Sequence, residues 1–142
     1  MMSEFTVQNE EELASLAIKF ATLLKGGEVV ALSGELGAGK TTFVRLLAKA
    51  LAVKEPISSP TYVLQHEYKA PDGIVIEHWD LYRVAQLPDE LLVPSDPKTI
   101  RLIEWGERFA VQLSPFSYQI EIFREASEDG SLIESGKRRI RW

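Results

Sequence analysis

One stretch constrains this chain more than any other: Gly34-Glu35-Leu36-Gly37-Ala38-Gly39-Lys40-Thr41, set between an apolar run and an amphipathic one. Before it stands Val29-Val30-Ala31-Leu32, short and apolar enough to be a buried strand. After it, Phe43, Leu46, Leu47, Ala50 and Leu51 recur at helical spacing. A strand, a glycine-rich turn of this pattern and a helix make a phosphate-binding loop, in which the glycines let backbone N–H groups turn inward where a Cβ would obstruct them. The helix beginning near Lys40 adds the positive end of its dipole. Lys40 is then expected to reach the β- and γ-phosphates of a nucleoside triphosphate, and Thr41 to offer its hydroxyl to Mg²⁺.

The chain's 142 residues suffice for one domain with a core and are too few for two, so residues 1–142 are expected to be a single domain. No apolar run reaches membrane-spanning length, and Met1 to Thr22 lacks the layout of a signal peptide. The absence of cysteine excludes a disulfide framework and a thiolate metal site, which fits a cytoplasmic protein. A net charge of −5 argues against a broad nucleic-acid-binding face.

Along the chain, Glu4-Phe5-Thr6-Val7 reads as a short strand. Asn9, followed by three glutamates, reads as a helix N-cap, and Leu13, Leu16, Ala17, Phe20 and Leu23 or Leu24 mark one helical face that Gly26-Gly27 closes. Tyr62 to Tyr68 and Ile74 to Trp79, joined by Ala70-Pro71-Asp72-Gly73, predict an antiparallel hairpin. Three prolines between Leu87 and Lys98 leave room only for a short helical turn. Thr99 to Ile103 is an apolar strand, Gly106 to Leu113 a short helix, and Tyr118 to Phe123 and Gly136 to Trp142 are closing strands. The expected fold is a three-layer α/β domain of P-loop NTPase type, with a mixed, mainly parallel central sheet and one hairpin.

Hydrolysis requires a metal carboxylate and a group that orients water. Acids just after apolar strands are the candidates, because strand ends beside the loop face the bound phosphates. Asp80 and Glu104 meet that condition. Thr61 lies on the connection after the loop helix, where nucleotide switches place a γ-phosphate-sensing hydroxyl.

The loop with Thr42-Phe43, then Ser59-Pro60-Thr61-Tyr62, Asp80-Leu81-Tyr82-Arg83 and Ile103-Glu104-Trp105 appear in an order and spacing that resemble the TsaE family. These are bacterial ATPases that serve the threonylcarbamoyladenosine modification of tRNA. The resemblance covers about Val29 to Arg108. It implies ATP and Mg²⁺ as cofactors and TsaD and TsaB as partners, with tRNA acted on by the complex. It implies nucleotide contacts from Glu35, Leu36, Gly37, Ala38, Gly39, Lys40, Thr41, Thr42 and Trp105. Thr41 would hold Mg²⁺ with Glu104 as its second protein ligand or near-ligand, Asp80 would orient water or hold a metal-bound water, and Thr61 would be the first-switch threonine. Arg83 would contact phosphate, a partner or a surface acid. Glu35 stands where the family usually has Asp. Relatives commonly carry a helix between the last two motifs, whereas Leu87 to Pro97 here is shorter and broken by prolines.

His66 and His78 lack metal-cluster spacing and are expected to be surface or core residues. Lys137-Arg138-Arg139-Ile140-Arg141-Trp142 is the one basic cluster. A charged edge strand accounts for it, with nucleotide, partner or tRNA contacts as the other readings. Competing functions are a small kinase, for which 142 residues leave little acceptor-binding room, a GTPase, which would need a guanine-reading Asn-Lys-x-Asp, and a non-hydrolysing nucleotide-dependent scaffold.

Overall fold

A computed structural model describes residues 3–35, 37–55, 64–113, 115–124 and 137–142. The elements are β1 (Glu4–Val7), α1 (Glu10–Ala21), β2 (Val29–Ser33), α2 (Lys40–Ala50), β3 (Gln65–Lys69), β4 (Val75–Asp80), β5 (Thr99–Glu104), α3 (Ala110–Leu113), β6 (Tyr118–Arg124) and β7 (Arg138–Arg141). Short 3₁₀ turns at Pro71–Gly73, Asp89–Leu92 and Gly106–Phe109 complete the described elements.

Among the described residues the strands form one sheet in the order β1-β7-β6-β2-β5-β4-β3. Its centre, β6-β2-β5-β4, is parallel, so the C-terminal ends of four strands lie along one edge. The hairpin β3–β4 closes one flank and the antiparallel strands β7 and β1 the other.

Side-chain alternation divides the sheet into two faces. Val30, Leu32, Ile76, Ile100, Leu102, Ile120 and Ile122 pack with Leu13, Leu16, Phe20, Phe43 and Leu47 of α1 and α2. Phe20 is fully buried and meets the rings of Phe43, Tyr118 and Trp142 at 6.2, 5.3 and 5.1 Å. On the other face Trp79, Leu81, Leu91, Ile103, Phe109 and Leu113 form a second cluster. The third layer is therefore built of 3₁₀ turns and the four-residue α3, which makes it much thinner than the first.

The Asn9 cap forms as expected, its side chain accepting from the Glu12 N–H at 2.9 Å. That helix stops at Ala21, ahead of Gly26 and Gly27, because Thr22 caps it by donating its backbone N–H to the Phe20 carbonyl. The hairpin is also present, with β3 beginning at Gln65; Tyr62 and Val63 lie outside the described residues. The turn within Leu87 to Lys98 is held down by Arg101, which donates to the Val93 carbonyl at 2.7 Å and the Glu90 carbonyl at 3.0 Å. Its Nε bonds Glu77 Oε1 at 3.0 Å, so a nearly buried ion pair anchors the proline-rich segment to the sheet.

The basic C-terminal strand departs from expectation. β7 lies inside the sheet between β1 and β6, and β1 is the edge. Ile140 is wholly buried, and apolar burial at that position outweighs the charge on the alternate residues. Those charges are met locally: Arg139 pairs with Glu4 at 3.3 Å, Arg141 with Glu121 at 2.6 Å, and both guanidiniums lie over Phe123.

Candidate functional site

The loop occupies the C-terminal edge of the parallel strands, between β2 and α2. Gly34, Gly37 and Gly39 have φ of 150°, 79° and 110°, values that side-chain-bearing residues rarely adopt. At Gly34 the neighbouring strand also matters, since a Cβ would stand 2.5 Å from the Ile122 carbonyl oxygen. Ala38 is fully buried and donates its N–H to the Glu35 carbonyl at 3.1 Å, which fixes the turn before α2. Leu36 lies outside the described residues.

Lys40 opens α2 yet is only 5% exposed. Its ammonium donates to the Gly34 carbonyl at 2.6 Å and lies 3.7 Å from the centre of the Trp105 ring. Burial lowers the Lys40 pKa from its ordinary value, and Glu104, Glu107 and Asp80 partly restore it, in that order. The lysine is thus a partly dry cation facing three acids across the loop, a setting in which an incoming anion gains strongly.

Glu104 and Asp80 end β5 and β4 and are direct partners in the parallel register. Glu104 is 4% exposed and bonds through Oε2 to His78 Nε2 at 2.5 Å. Asp80 is half-buried and accepts from the Tyr82 N–H at 3.0 Å, which turns the chain back at the strand end. Leu81 N–H donates to the Glu104 carbonyl at 3.0 Å, and Arg108 donates to the carbonyls of Leu81 and Tyr82 at 2.7 and 2.9 Å. These bonds tie the segments after the two carboxylates into one unit. Trp105 follows with φ of 63°, a left-handed conformation that is an outlier for an aromatic residue. Its ring lies over Lys40 and contacts Tyr82 at a centroid distance of 4.9 Å.

The sequence-derived site residues Lys40, Asp80, Glu104 and Trp105 therefore converge. Thr41 and Thr42, both half-buried, lie on the first turn of α2, while Glu35 and Gly37 are exposed on the loop. Thr61 falls outside the described residues. Arg83 is exposed. Two contributors were not foreseen. His78 reaches Glu104, and its signal was the alternation His78-Trp79-Asp80, which puts imidazole and carboxylate on one strand face. Arg138 donates from Nε to the Ala38 carbonyl at 2.8 Å, bracing the loop from outside. The sequence carries no local signal for it, since the contact depends on β7 pairing beside β6.

The donor set suits a nucleoside triphosphate carrying a hard divalent cation. The glycine cradle would be filled by Cβ atoms, Lys40 supplies a buried cation, and a carboxylate with a hydroxyl are oxygen donors of the kind Mg²⁺ prefers. Among the described residues no three His, Cys, Asp or Glu side chains gather as a metal cage. Mg²⁺ bound to phosphates uses only one or two protein carboxylates.

Comparison with known proteins agrees with this arrangement. The family model described as "Threonylcarbamoyl adenosine biosynthesis protein TsaE" matches residues 7–134. A tRNA threonylcarbamoyladenosine biosynthesis protein TsaE from Aquifex aeolicus is 47% identical over 110 residues, covering 76% of this chain and 80% of its own. The protein of the same name from Nostoc is 34% identical over 143 residues, covering 92% and 82%. The crystal structure of Bacillus subtilis YdiB superposes with a TM-score of 0.77 at 28% identity, covering 99% of this chain and 84% of that one.

Proposed function

The chain belongs to the TsaE family, whose work is tRNA threonylcarbamoyladenosine biosynthesis, and from that premise we propose that it is the Mg²⁺-dependent ATPase of that process. The observation that carries the reading is the burial of Lys40 beneath its own glycine loop while Glu104 and Asp80 face it from the neighbouring strand ends. A loop alone binds phosphate; a loop lysine set among carboxylates also has what phosphoryl transfer requires.

ATP would bring the phosphoanhydride to be split, and Mg²⁺ would neutralise its oxygens. The loop amides between Glu35 and Thr42 would hold the phosphates, Leu36 being one of the loop positions the family pattern assigns. Lys40, which now donates to the Gly34 carbonyl, would instead pair with phosphate oxygens. Thr41 and Glu104 would hold the cation. Asp80, kept in place by the Tyr82 N–H, would orient the attacking water, and Thr61 would be the switch hydroxyl. Trp105 covers the lysine and limits water around it.

Among the described residues no element forms an acceptor-binding insertion of the kind a small kinase needs. The protein acts in the cytoplasm with TsaD and TsaB, and the complex they form acts on tRNA. The basic strand supports no broad RNA-binding face, since Arg139 and Arg141 are each paired with an acid. The test is reconstitution of the modification from purified TsaD and TsaB, tRNA, ATP and the threonylcarbamoyl donor, with and without this chain. Repeated cycles of modification should require the chain and its ATP hydrolysis. Equal cycling without it contradicts the proposal, and a requirement that survives loss of hydrolysis points to a scaffold.

A further inference from the structure

His78 has no role in the chemistry above, yet it is a polar side chain beside the site with no exposed surface at all. Register explains how it comes to be there. In the parallel pairing of β4 with β5, Asp80 stands opposite Glu104 and His78 opposite Leu102, and strand alternation puts His78, Asp80 and Glu104 on the face that carries α2. The imidazole thus lies one step inside the carboxylate edge and reaches outward to it. At a separation of 2.5 Å, Nε2 and Glu104 Oε2 are in hydrogen-bond contact.

The other ring nitrogen decides the tautomer. Nδ1 is buried and meets no hydrogen-bond partner among the described residues. A proton there would be a buried donor without an acceptor, which costs more than a bare lone pair. The surroundings therefore favour the imidazole that carries its proton on Nε2 and donates it to Glu104.

We propose that His78 is a positioning residue for the metal carboxylate: by holding Oε2 of Glu104 in a hydrogen bond, it fixes the direction of the carboxylate and favours ligation of a divalent cation through one oxygen. The inference rests on reading the site as one for Mg²⁺ and ATP. A small cation with strict octahedral demands is served by a carboxylate that presents one oxygen in one direction. Without the imidazole, Glu104 is free to chelate with both oxygens or to turn to Lys40, on which it acts more strongly than Glu107 or Asp80 does. Outer partners of this kind commonly fix a metal ligand's direction.

The test follows binding of a fluorescent, non-hydrolysable ATP analogue in EDTA and across a Mg²⁺ titration. His78→Leu should raise the half-saturating Mg²⁺ concentration by about tenfold or more, with affinity in EDTA unchanged. His78→Gln, whose amide donates from near the Nε2 position, should stay within about threefold of wild type, whereas the shorter His78→Asn should not. In a Glu104→Gln background His78→Leu should add no further shift, since both act through one contact. A wild-type Mg²⁺ response in His78→Leu would overturn the inference and leave the bond a structural pair. So would a loss of affinity in EDTA as large as that in Mg²⁺. If His78→Leu does not fold, the contrast between Gln and Asn decides. Wild-type protein that binds no analogue at any Mg²⁺ concentration overturns the ATP reading, and this inference with it.

Discussion

Lys40 shows how one side chain carries both the chemistry of the site and a cost to the fold. Its pKa is lowered from the ordinary 10.5 by burial, while Glu104, Glu107 and Asp80 pull the other way. Between the folded value and 10.5 the unfolded chain binds more protons than the folded one, so this group makes stability rise with pH in that window. Wild-type protein without nucleotide should therefore gain unfolding free energy relative to Lys40→Met as pH approaches 10.5, measured by urea denaturation. A constant difference would mean that the lysine is not desolvated. Added ATP should reverse the sign of the lysine's contribution, because phosphates favour the charged form. Lys40→Ala should abolish ATP binding by calorimetry, and near-native affinity would remove the loop from the site. Lys40 and Glu104 were legible as residues because their chemistry is local: a glycine turn before a helix, an acid after an apolar run. Arg138 was not, because its contact with the Ala38 carbonyl exists only once β7 has paired with β6. Arg138→Ala should weaken ATP affinity by about threefold to tenfold through a loosened loop, the scale of one ordinary hydrogen bond. Unchanged affinity would make the brace irrelevant to binding.

The elements position this site through parallel register. β4 and β5 run side by side so that Asp80 and Glu104 end level, and β2 beside them delivers the loop at the same edge. Gly34 is the tightest point of that construction, since both its φ of 150° and the Ile122 carbonyl 2.5 Å from a would-be Cβ oppose any side chain. Gly34→Ala should lower stability by at least about 2 kcal/mol and weaken nucleotide binding together. A loss of unfolding free energy of less than a quarter of that, measured by urea denaturation, would show that the strand end can relax. Arg101 plays the matching part on the opposite face. Arg101→Met should destabilise by about 3 kcal/mol, because Glu77 would be left buried without its cation. Loss of stability with intact ATP binding is the expected outcome, since the segment it anchors lies on the face away from α2. The hairpin, the two helices and the capping at Asn9 were all legible from periodicity and turn residues, which are properties of a few neighbours. The position of β7 was not. A strand with alternate arginines reads as an edge; the burial of Ile140 draws it inside, and Glu4 on β1 and Glu121 on β6 meet the charges that follow.

At the scale of the whole molecule, the sheet separates the labour of its two faces. The face under α1 and α2 carries the deep core and the glycine loop, and the thinner face carries the 3₁₀ turns and the strapped proline segment. No helix among the described residues is long and apolar enough to cross a membrane. The fold class was visible in the order of apolar runs and turns, and so were the short helical segments of the third layer; that most of them are 3₁₀ turns was not, since such turns leave no periodic trace. What the molecule is for rests on one claim, that the lysine loop and the two strand-end carboxylates act together on Mg²⁺ and ATP. The most direct measurement compares wild type and Glu104→Ala for ATP affinity by calorimetry and for ATP turnover across a Mg²⁺ titration, with TsaD and TsaB present. The site described here predicts affinity within about threefold of wild type and turnover lowered at least about a hundredfold, the scale of losing a group that acts mainly in the transition state. Turnover equal to wild type at every Mg²⁺ concentration would contradict it.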